Sequence, residues 1–449
     1  MRHCLAGKIR GDFKASKSGF KMLVKQFLAR RYRNIFEHSM SFSATQFEDY
    51  QKKQLEKMVL HCVENVPYYR TYRDQYIKDG KVLPLSQLPV LPKALVREKN
   101  AEFHASRGVG LWQSHATSGT SGSPLVIRAS YQIHAKVLVA INRHYRMFGI
   151  KPGGRVACLT GFFKPATVGS EVLFWRDYFY KRIFLSIYKL SDANIREYHE
   201  ILVRFKPVSI YGYASNIFLL ANGFLRHNLR APESLKAIIT SSEILYPQWR
   251  EVIVKAFDVP VLDRYGSQEL QCIISECPQG RMHINPEFGI VEVVDDKYQP
   301  VENGTEGNLL LTGLANNAMP LIRYAIGDRG IMDEDTSVCS CGLSWPVVKS
   351  ITGRSEDAIT TPDGRRLMYL NFHCTEFIKG IVESQFIQDR SDHITIRLVV
   401  NDQFKQGSEQ IIQDDLRNRA QYEFEVDFEY MDSIPRGPRG KFKAVLNLT

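Results

Sequence analysis

The chain has 449 residues, which is more than one hydrophobic core usually supports, so we expect at least two domains. Hydrophobic residues make up 44% of the chain and charged residues 24%, the balance of an ordinary globular protein. No apolar run approaches the roughly 20 residues that a membrane-spanning helix needs, and the first residues lack a continuous apolar signal segment. Eight cysteines in a chain of this length fit a reducing compartment better than a disulfide framework. We therefore expect a soluble, cytoplasmic protein.

The net charge of +11 is partly concentrated near the start of the chain. Between Arg2 and Arg33 the sequence has many lysines and arginines and a single acid, Asp12. Such a stretch attracts anionic lipid head groups or nucleic acid. Two interpretations are open: residues 1–44 form a solvated basic extension, or they form a peripheral helix at the inner surface of the membrane. The second has support from apolar residues that recur at helical spacing, namely Phe20, Leu23, Val24, Phe27 and Leu28.

The first predicted element of the main domain is an amphipathic helix over Tyr50–Val66, which Pro67 ends. From about residue 110 to 330, short apolar runs alternate with helical patterns, one of which begins near Pro247. This alternation predicts an α/β domain with a buried sheet. The apolar runs that we predict as strands are Val156–Leu159, Val208–Tyr211, Leu235–Thr240, Val259–Leu262, Ile290–Val294 and Asn308–Thr312.

The last hundred residues have a different pattern. Ile394–Val400 reads as a strand and Glu409–Ala420 as a helix, and apolar and acidic residues alternate from Phe424 to Tyr430, as in a strand with one buried face. A small α+β domain over residues 355–449 accounts for this pattern. The large domain would then span residues 45–354.

One segment in the α/β region is unusually rich in hydroxyl groups and glycine. Residues of this kind let the backbone approach an anion closely and direct several N–H and O–H donors at it, which suits a polyphosphate. The segment lacks the Gly-Lys-Ser/Thr ending of a Walker loop, and a flexible linker is the alternative interpretation. Its residues are Thr117, Ser118, Gly119, Thr120, Ser121 and Gly122, followed by Ser123.

A second polar segment, Asp263–Glu269, comes directly after a predicted strand. Ligands in open α/β sheets bind beyond the carboxyl ends of the strands, so this position favours a binding role. Tyr265 can stack on a base and Glu269 can give an oxygen ligand to Mg²⁺, with Gly266 and Ser267 between them. Taken alone, the segment could equally be a polar turn.

Three further segments indicate a function only when they are considered together. Asp328 follows an apolar segment, where a carboxylate can accept hydrogen bonds from both ribose hydroxyls, although an aspartate after glycine is usually a turn residue. Arg354 and Glu356 lie where the composition shifts, as a hinge between domains would. Lys441 lies close to the C-terminus, where a lysine is normally solvated.

In this order the five segments resemble the adenylate-forming superfamily, and within it phenylacetate–CoA ligase and the CapK-type proteins of capsular polysaccharide biosynthesis. The likeness runs from about residue 45 to the end and includes Val66–Arg70 and Leu88–Lys93. It implies a large α/β N-terminal domain and a small, mobile α+β C-terminal lid domain. It also implies an AMP-forming ligase that activates a carboxylic acid as an acyl-adenylate, using ATP and Mg²⁺. The acyl group would pass to coenzyme A or to an amine, such as the amine of a sugar, in capsular or exopolysaccharide biosynthesis.

The resemblance also assigns roles to the nucleotide-binding residues. The loop from Thr117 to Gly122 would hold the β- and γ-phosphates, although Ser123 stands where many relatives have lysine. Ser242 and Glu243 match the segment that lies against adenine, with serine in place of the family's leading residues. Tyr265 would stack on the adenine.

The remaining roles concern the metal, the ribose and the reacting carboxylate. Glu269 would bind Mg²⁺, and Asp328 would hold the ribose with help from Arg354. Glu356 would be the hinge of the lid domain, and Lys441 would bridge the carboxylate and the α-phosphate. Because the carboxylate and the α-phosphate are both anions, catalysis needs charge neutralisation and positioning.

Four residues form a second candidate metal site: Cys277, His283, Cys339 and Cys341. Two cysteines two residues apart lie on one face of a strand, and the four side chains could make a tetrahedral Cys₃His zinc site. Some proteins similar to phenylacetate–CoA ligase carry such a zinc. Reduced, buried cysteines without a metal are the alternative.

Two rival functions fit parts of the sequence. A catalytically degenerate member of the family, acting as a nucleotide-binding pathway partner, would explain Ser123. A nucleic-acid-binding protein would explain the pI of about 9.1, but the basic residues lack the interleaved aromatics of a strand-binding groove, so we expect no nucleic-acid partner. For the acid, Tyr211 and Tyr213 favour an aromatic or small molecule, and an apolar wall fits equally well.

Overall fold

The computed structural model describes residues 15–116, 125–160, 172–190, 192–354, 358–364, 366–368, 378–405, 407–420, 422–437 and 442–449. These residues form two compact units. The first consists of the chain up to Ile326 together with Gly330–Ser350, and the second of Gly327–Arg329 together with Ile351–Thr449. The units separate shortly before the boundary that the sequence predicts between residues 354 and 355.

The described residues contain nine α-helices, several with a clear start signal. Ser43 and Gln46 form a reciprocal capping box at the start of α2, and the Ser130 hydroxyl accepts from the Ile133 amide at the start of α5. Proline occupies the first position of α3 and α8. The helices are α1 (Ala15–His38), α2 (Ala44–Asn65), α3 (Pro67–Thr71), α4 (Lys93–Glu98), α5 (Tyr131–Met147), α6 (Ile195–Phe205), α7 (Ala214–Arg226), α8 (Pro247–Phe257) and α9 (Ser408–Ala420).

Most strands of the first unit belong to one thirteen-stranded mixed sheet. Its order is β14-β15-β16-β17-β13-β12-β11-β10-β9-β6-β8-β7, with β3 paired to β16. The strands up to β17 are β1 (Ile77–Lys78), β2 (Lys81–Val82), β3 (Leu91–Pro92), β4 (Trp112–Ala116), β5 (Val126–Ser130), β6 (Val156–Leu159), β7 (Phe174–Asp177), β8 (Arg182–Leu185), β9 (Ser209–Gly212), β10 (Ala237–Ser241), β11 (Val261–Gly266), β12 (Ile273–Glu276), β13 (Met282–Ile284), β14 (Gly289–Val294), β15 (Glu306–Gly313), β16 (Tyr324–Met332) and β17 (Val347–Arg354).

Strands β6, β9, β10 and β11 are parallel neighbours and form the buried centre of this sheet. Their residues form nearly continuous apolar runs, as expected of strands with both faces covered. Ile239 and Leu262 pack against Tyr145 of α5. Helices α7 and α8 pack on each other, with the Phe218 ring stacked on Trp249. The four predicted strands in this region are therefore confirmed.

The N-terminal segment differs from the prediction of a separate basic extension over residues 1–44. Helix α1 packs along α5, and Phe36 is buried in a cluster with Ile133 and Phe288. Val24 and Leu28 are half-buried, whereas Phe27 is 74% exposed, so these three residues of the proposed lipid-facing stripe are not equally exposed to solvent. The sequence did not predict this packing because lysines and arginines dominate the composition of the N-terminal segment. No helix in the described part of the chain is long and apolar enough to cross a membrane.

A buried ion pair joins this N-terminal segment to the sheet. The Arg143 guanidinium on α5 lies 2.7 Å from a carboxylate oxygen of Glu287, and both side chains are 2% exposed. The guanidinium also donates to the Phe36 carbonyl, the Ser39 hydroxyl and the Asn285 side chain. Because so many acceptors surround it, the buried charge is well compensated.

We expect Arg143→Met to destabilise the protein by about 3–5 kcal/mol, because it leaves the Glu287 carboxylate buried without its cation. Urea-induced unfolding measures the change. Arg146→Met, three residues later on the same helix, is the matched control. Arg146 pairs with Glu37 at 3.6 Å between side chains that are 41% and 53% exposed, so its loss should cost less than about 1 kcal/mol. Equal effects of the two changes would contradict the proposed importance of the buried pair.

The second unit has a four-stranded sheet of order β22-β21-β20-β23. Strands β21 and β22 are parallel and are connected through α9, whose Ile412 and Leu416 are buried. The predicted strand, helix and strand of this region are confirmed. The strands are β18 (Ala358–Thr360), β19 (Arg366–Met368), β20 (Ile381–Arg390), β21 (His393–Val400), β22 (Glu425–Tyr430) and β23 (Val445–Asn447).

His393 lies between two carboxylates in this unit. Its Nδ1 is 2.6 Å from Asp389 Oδ1, and its Nε2 is 3.1 Å from Asp427 Oδ2. The hydrogen bond that His393 donates to the Asp389 carboxylate raises the pKa of His393 above its ordinary value of 6.5, and the same bond lowers the pKa of Asp389 below 3.8. Between the lowered pKa of Asp389 and the raised pKa of His393, the two side chains are therefore both charged and attract each other.

This arrangement predicts a pH-dependent stability of the second unit. The contribution of His393 is fully present below pH 6.5 and is lost as the pH rises through its raised pKa. The contribution of Asp389 is lost at acid pH, as the pH falls through its lowered pKa. Hydrogen exchange in β20 and β21 should show protection that falls above neutral pH in the wild type. In His393→Gln the fall should be smaller, and an unchanged profile would refute the assignment.

Candidate functional site

The carboxyl ends of four parallel strands meet at one edge of the large sheet. Arg264 of β11 is in register with Ser241 of β10, and Thr240 of β10 is in register with Gly212 of β9. Gly212 is in turn in register with Leu159 of β6. The loops that follow these strands therefore leave the sheet at the same edge, which is where ligands bind in open α/β sheets.

Ser242 and Glu243, predicted to lie against adenine, follow β10 at this edge. A Glu243 carboxylate oxygen accepts a hydrogen bond from the Ser215 amide in the first turn of α7, at 3.0 Å. The positive end of the helix dipole stabilises a carboxylate there. Ser242 has a φ of +72°, a left-handed conformation that favours glycine.

Asp263 is the residue at this edge that sequence reasoning passed over. Its carboxylate accepts from the Thr240 hydroxyl at 2.7 Å, and its amide donates to Glu276 at 2.6 Å. Glu276 also forms an ion pair with Arg250 at 2.9 Å. Burial raises the pKa of Asp263 to about 6. Its position two residues before Tyr265 was the available signal, but its burial and its partners follow only from the packing.

The predicted metal ligand Glu269 is 4% exposed. The Tyr324 hydroxyl donates to its Oε1 at 3.3 Å, and no cation of the described residues forms an ion pair with the carboxylate. Tyr265 is half-buried at the end of β11, where Gly266 is exposed. The Ser267 hydroxyl is buried without a hydrogen-bond partner in the described structure. A buried carboxylate beside free polar atoms suits an oxygen ligand for a cation.

Three more buried side chains have polar atoms without a partner among the described residues. They are Thr160 after β6, and Ser215 and Asn216 in the first turn of α7. The Asn216 side chain is almost fully buried, and both its nitrogen and its oxygen are unpaired. Buried polar groups are normally hydrogen-bonded, so their concentration at this edge points to a ligand. Sequence reasoning missed them because a Ser-Asn pair at a helix start has no distinctive pattern.

Several predicted residues lie elsewhere in the structure or outside its described part. Asp328 is buried on β16, after Gly327 with a φ of +89°, and belongs with the second unit. Arg354 ends β17, and its side chain is not among those described. The loop residues Thr117, Ser118, Gly119, Thr120, Ser121 and Gly122, the hinge residue Glu356 and Lys441 lie outside the described residues.

The structure brings the four predicted zinc ligands together. The ligand atoms of Cys277, His283, Cys339 and Cys341 all lie within 4.8 Å of one another. The Sγ atoms of Cys277 and Cys339 are 3.8 Å apart, and Cys341 Sγ is 3.6 Å from His283 Nε2. His283 Nδ1 lies 3.1 Å from the Trp345 carbonyl, so the ring donates there and leaves the Nε2 lone pair facing the thiols. Three thiols and one imidazole are a donor set that fits zinc.

Two similar turns hold these ligands. The Gly280 amide donates to the Cys277 carbonyl, and the Gly342 amide donates to the Cys339 carbonyl. Both glycines have positive φ values, which a side chain at these positions would strain. The expectation that Cys339 and Cys341 share a strand face was wrong, because they lie in the second turn. Glycine three residues after each first cysteine is the sequence signal for the turns.

Comparisons with known proteins agree with this architecture. Residues 359–448 match the family model of the CapK C-terminal domain. Protein CapK of Staphylococcus aureus is 24% identical over 404 residues, which cover 88% of each chain. The phenylacetate–coenzyme A ligase of Thermus thermophilus is 27% identical over 334 residues, covering 69% of this chain and 70% of the ligase.

Solved structures show the same fold. A 2-hydroxyisobutyryl-CoA ligase in the postadenylation state, in complex with R3-HIB-AMP, superposes with a TM-score of 0.72 at 18% identity. The match covers 92% of this chain and 91% of the ligase. The chain is therefore similar to CapK and to the phenylacetate–CoA ligases, and its fold is that of an acid–CoA ligase. The resemblance predicted from five motifs is confirmed. The predicted fold class, a large α/β domain followed by a C-terminal domain, is confirmed as well.

Proposed function

We propose that this chain is an AMP-forming carboxylic acid ligase. It joins an acid to ATP, releases pyrophosphate, and passes the acyl group from the adenylate to coenzyme A or to an amine acceptor. The observation that carries the proposal is the strand edge: Asp263 and Tyr265 lie near the end of β11, and Glu243 and Glu269 lie in the loops that follow β10 and β11. The fold of acid–CoA ligases supports the same chemistry.

The proposal gives each group at this edge a physical task. Tyr265 stacks on adenine, and Ser242 and Glu243 line the adenine side. The buried Glu269 carboxylate would hold Mg²⁺, which would supply positive charge to offset that of the phosphates. Asp328 and Arg354 hold the ribose.

The remaining groups come from outside the described residues. The loop from Thr117 to Gly122 holds the β- and γ-phosphates, and Lys441 bridges the reacting carboxylate and the α-phosphate. Residues 355–449 act as a lid that turns about Glu356 between the two half-reactions. Similarity to CapK favours an acceptor in surface-polysaccharide assembly, such as an amino sugar.

A screen for acid-dependent pyrophosphate release, with and without coenzyme A, tests the activity. Lys441→Ala should reduce pyrophosphate exchange by orders of magnitude, because two anions then meet without their shared cation, while ATP binding is retained. Lys405→Ala, an exposed lysine of the second unit, is the matched control and should leave exchange unchanged.

Two outcomes would decide against the proposal. Unchanged exchange in Lys441→Ala would refute the assigned role of this lysine. No pyrophosphate release with any acid, together with intact ATP binding, would favour the degenerate nucleotide-binding member that Ser123 suggests.

We also propose that Cys277, His283, Cys339 and Cys341 hold a structural zinc ion. The closed set of four ligands and the His283–Trp345 contact support this assignment, since structural zinc sites leave no position for a substrate. The metal would fix the two glycine turns relative to each other.

Purified protein should contain about one zinc ion per chain by elemental analysis. Cys339→Ser should lose the metal and lower the melting temperature, because the remaining ligands no longer close the site. Cys158→Ser, at a buried cysteine of β6 outside the cluster, is the control and should keep the metal. A metal-free wild-type protein of full stability would end this proposal.

A further inference from the structure

We propose that Arg264 recognises a negatively charged group on the acid substrate, so that the acid carries a second carboxylate besides the one that reacts. This inference rests on the proposed ligase function and specifies its substrate class. Arg264 is at the carboxyl end of β11, immediately before Tyr265. It therefore lies at the edge where the candidate site is built.

Arg264 has no acidic partner among the described residues. Arg264 is half-buried, yet no carboxylate or hydrogen-bond acceptor of the described residues engages its guanidinium. Other arginines of the same unit are paired: Arg143 with Glu287, Arg250 with Glu276 and Arg323 with Glu292. Since a partly desolvated charge without a partner is costly, an unpaired guanidinium at a ligand-binding edge indicates an anionic ligand.

Among the described residues, the side chains that interact with Arg264 are aromatic, and none is a carboxylate. Its guanidinium carbon is 5.3 Å from the centroid of the Tyr211 ring. Burial lowers the pKa of His144 to about 3, and the charge of Arg264 acts in the same direction. Burial raises the pKa of Tyr145, and the Arg264 charge opposes that rise. The Tyr211 ring and the Arg264 guanidinium together suit a planar carboxylate, because a guanidinium can donate two parallel hydrogen bonds to it.

The geometry of β11 separates the acid from the nucleotide. Neighbouring residues of a strand point to opposite faces, so Arg264 and Tyr265 are on different sides of the sheet. Leu262 shares the face of Arg264, and it packs against α5 together with Ile239. If adenine stacks on Tyr265, Arg264 lies on the other face of the strand. We therefore assign Arg264 to the acid rather than to a phosphate of ATP.

Matched pairs of acids test the proposal. Acids of equal carbon number with one or two carboxylates, such as butyrate and succinate or 2-methylbenzoate and phthalate, are compared by acid-dependent pyrophosphate release. The wild type should prefer the dicarboxylic member of the productive pair. Arg264→Met should raise the KM for that acid about 10- to 100-fold, the worth of hydrogen bonds to a charged group, and should leave the KM for ATP unchanged. Arg264→Lys should recover part of the preference.

A binding measurement separates this inference from the proposed function. The melting temperature is measured with each acid in the presence of a non-hydrolysable ATP analogue, for the wild type, Arg264→Met and the control Arg204→Met. Arg204 is an exposed arginine on α6, and its loss should change neither binding nor preference. Dicarboxylic acids should raise the melting temperature of the wild type and of the control, but not of Arg264→Met.

The outcomes can be told apart. Stabilisation that depends on Arg264, without pyrophosphate release, would sink the ligase proposal and keep the anion site. Pyrophosphate release with monocarboxylic acids alone, unaffected by Arg264→Met, would overturn the anion site and keep the ligase. If neither release nor stabilisation is seen with any acid, both proposals fail. A raised KM for ATP in Arg264→Met would reassign the arginine to the nucleotide.

Discussion

The parallel register of β6, β9, β10 and β11 is the constraint on which the candidate site depends. Each strand ends within two residues of its neighbour's end, so segments far apart in the chain reach the same edge of the sheet. A shift of one residue in β11 would exchange the faces of Arg264 and Tyr265. The buried apolar residues of these strands, such as Ile239 and Leu262, therefore determine which face of β11 carries Tyr265 and which carries Arg264.

The partners of the buried charges distinguish structural groups from candidate binding groups. Arg143 and Glu287 satisfy each other in a core that also holds the end of α1, so no polar atom of the pair needs a ligand. At the strand edge the reverse holds, because Asn216 and Ser267 are buried with polar atoms unpaired among the described residues. Folding tolerates such groups where binding compensates for them.

The sequence predicted the features that depend on local pattern. Apolar runs such as Val156–Leu159 became central strands, and the four zinc-ligand candidates met as expected. It did not predict features that depend on packing between distant segments. The basic residues near the start of the chain concealed a helix end that α5 buries, and the pairing of Asp263 with Thr240 follows only from the sheet register. The loop from Thr117 to Gly122 and Lys441 lie outside the described residues, so their roles stay predictions.

The cysteine cluster and the strand edge are linked through one short hairpin. Glu276 ends β12 and comes directly before Cys277. Its carboxylate accepts from the Asp263 amide and pairs with Arg250, and its carbonyl lies 2.7 Å from His144 Nε2. A metal that fixed the turn after Glu276 would therefore also fix the end of β11, where Asp263 and Arg264 lie. With a bound metal, the cysteine cluster would therefore contribute to the site by holding β11 in place, without contacting a substrate.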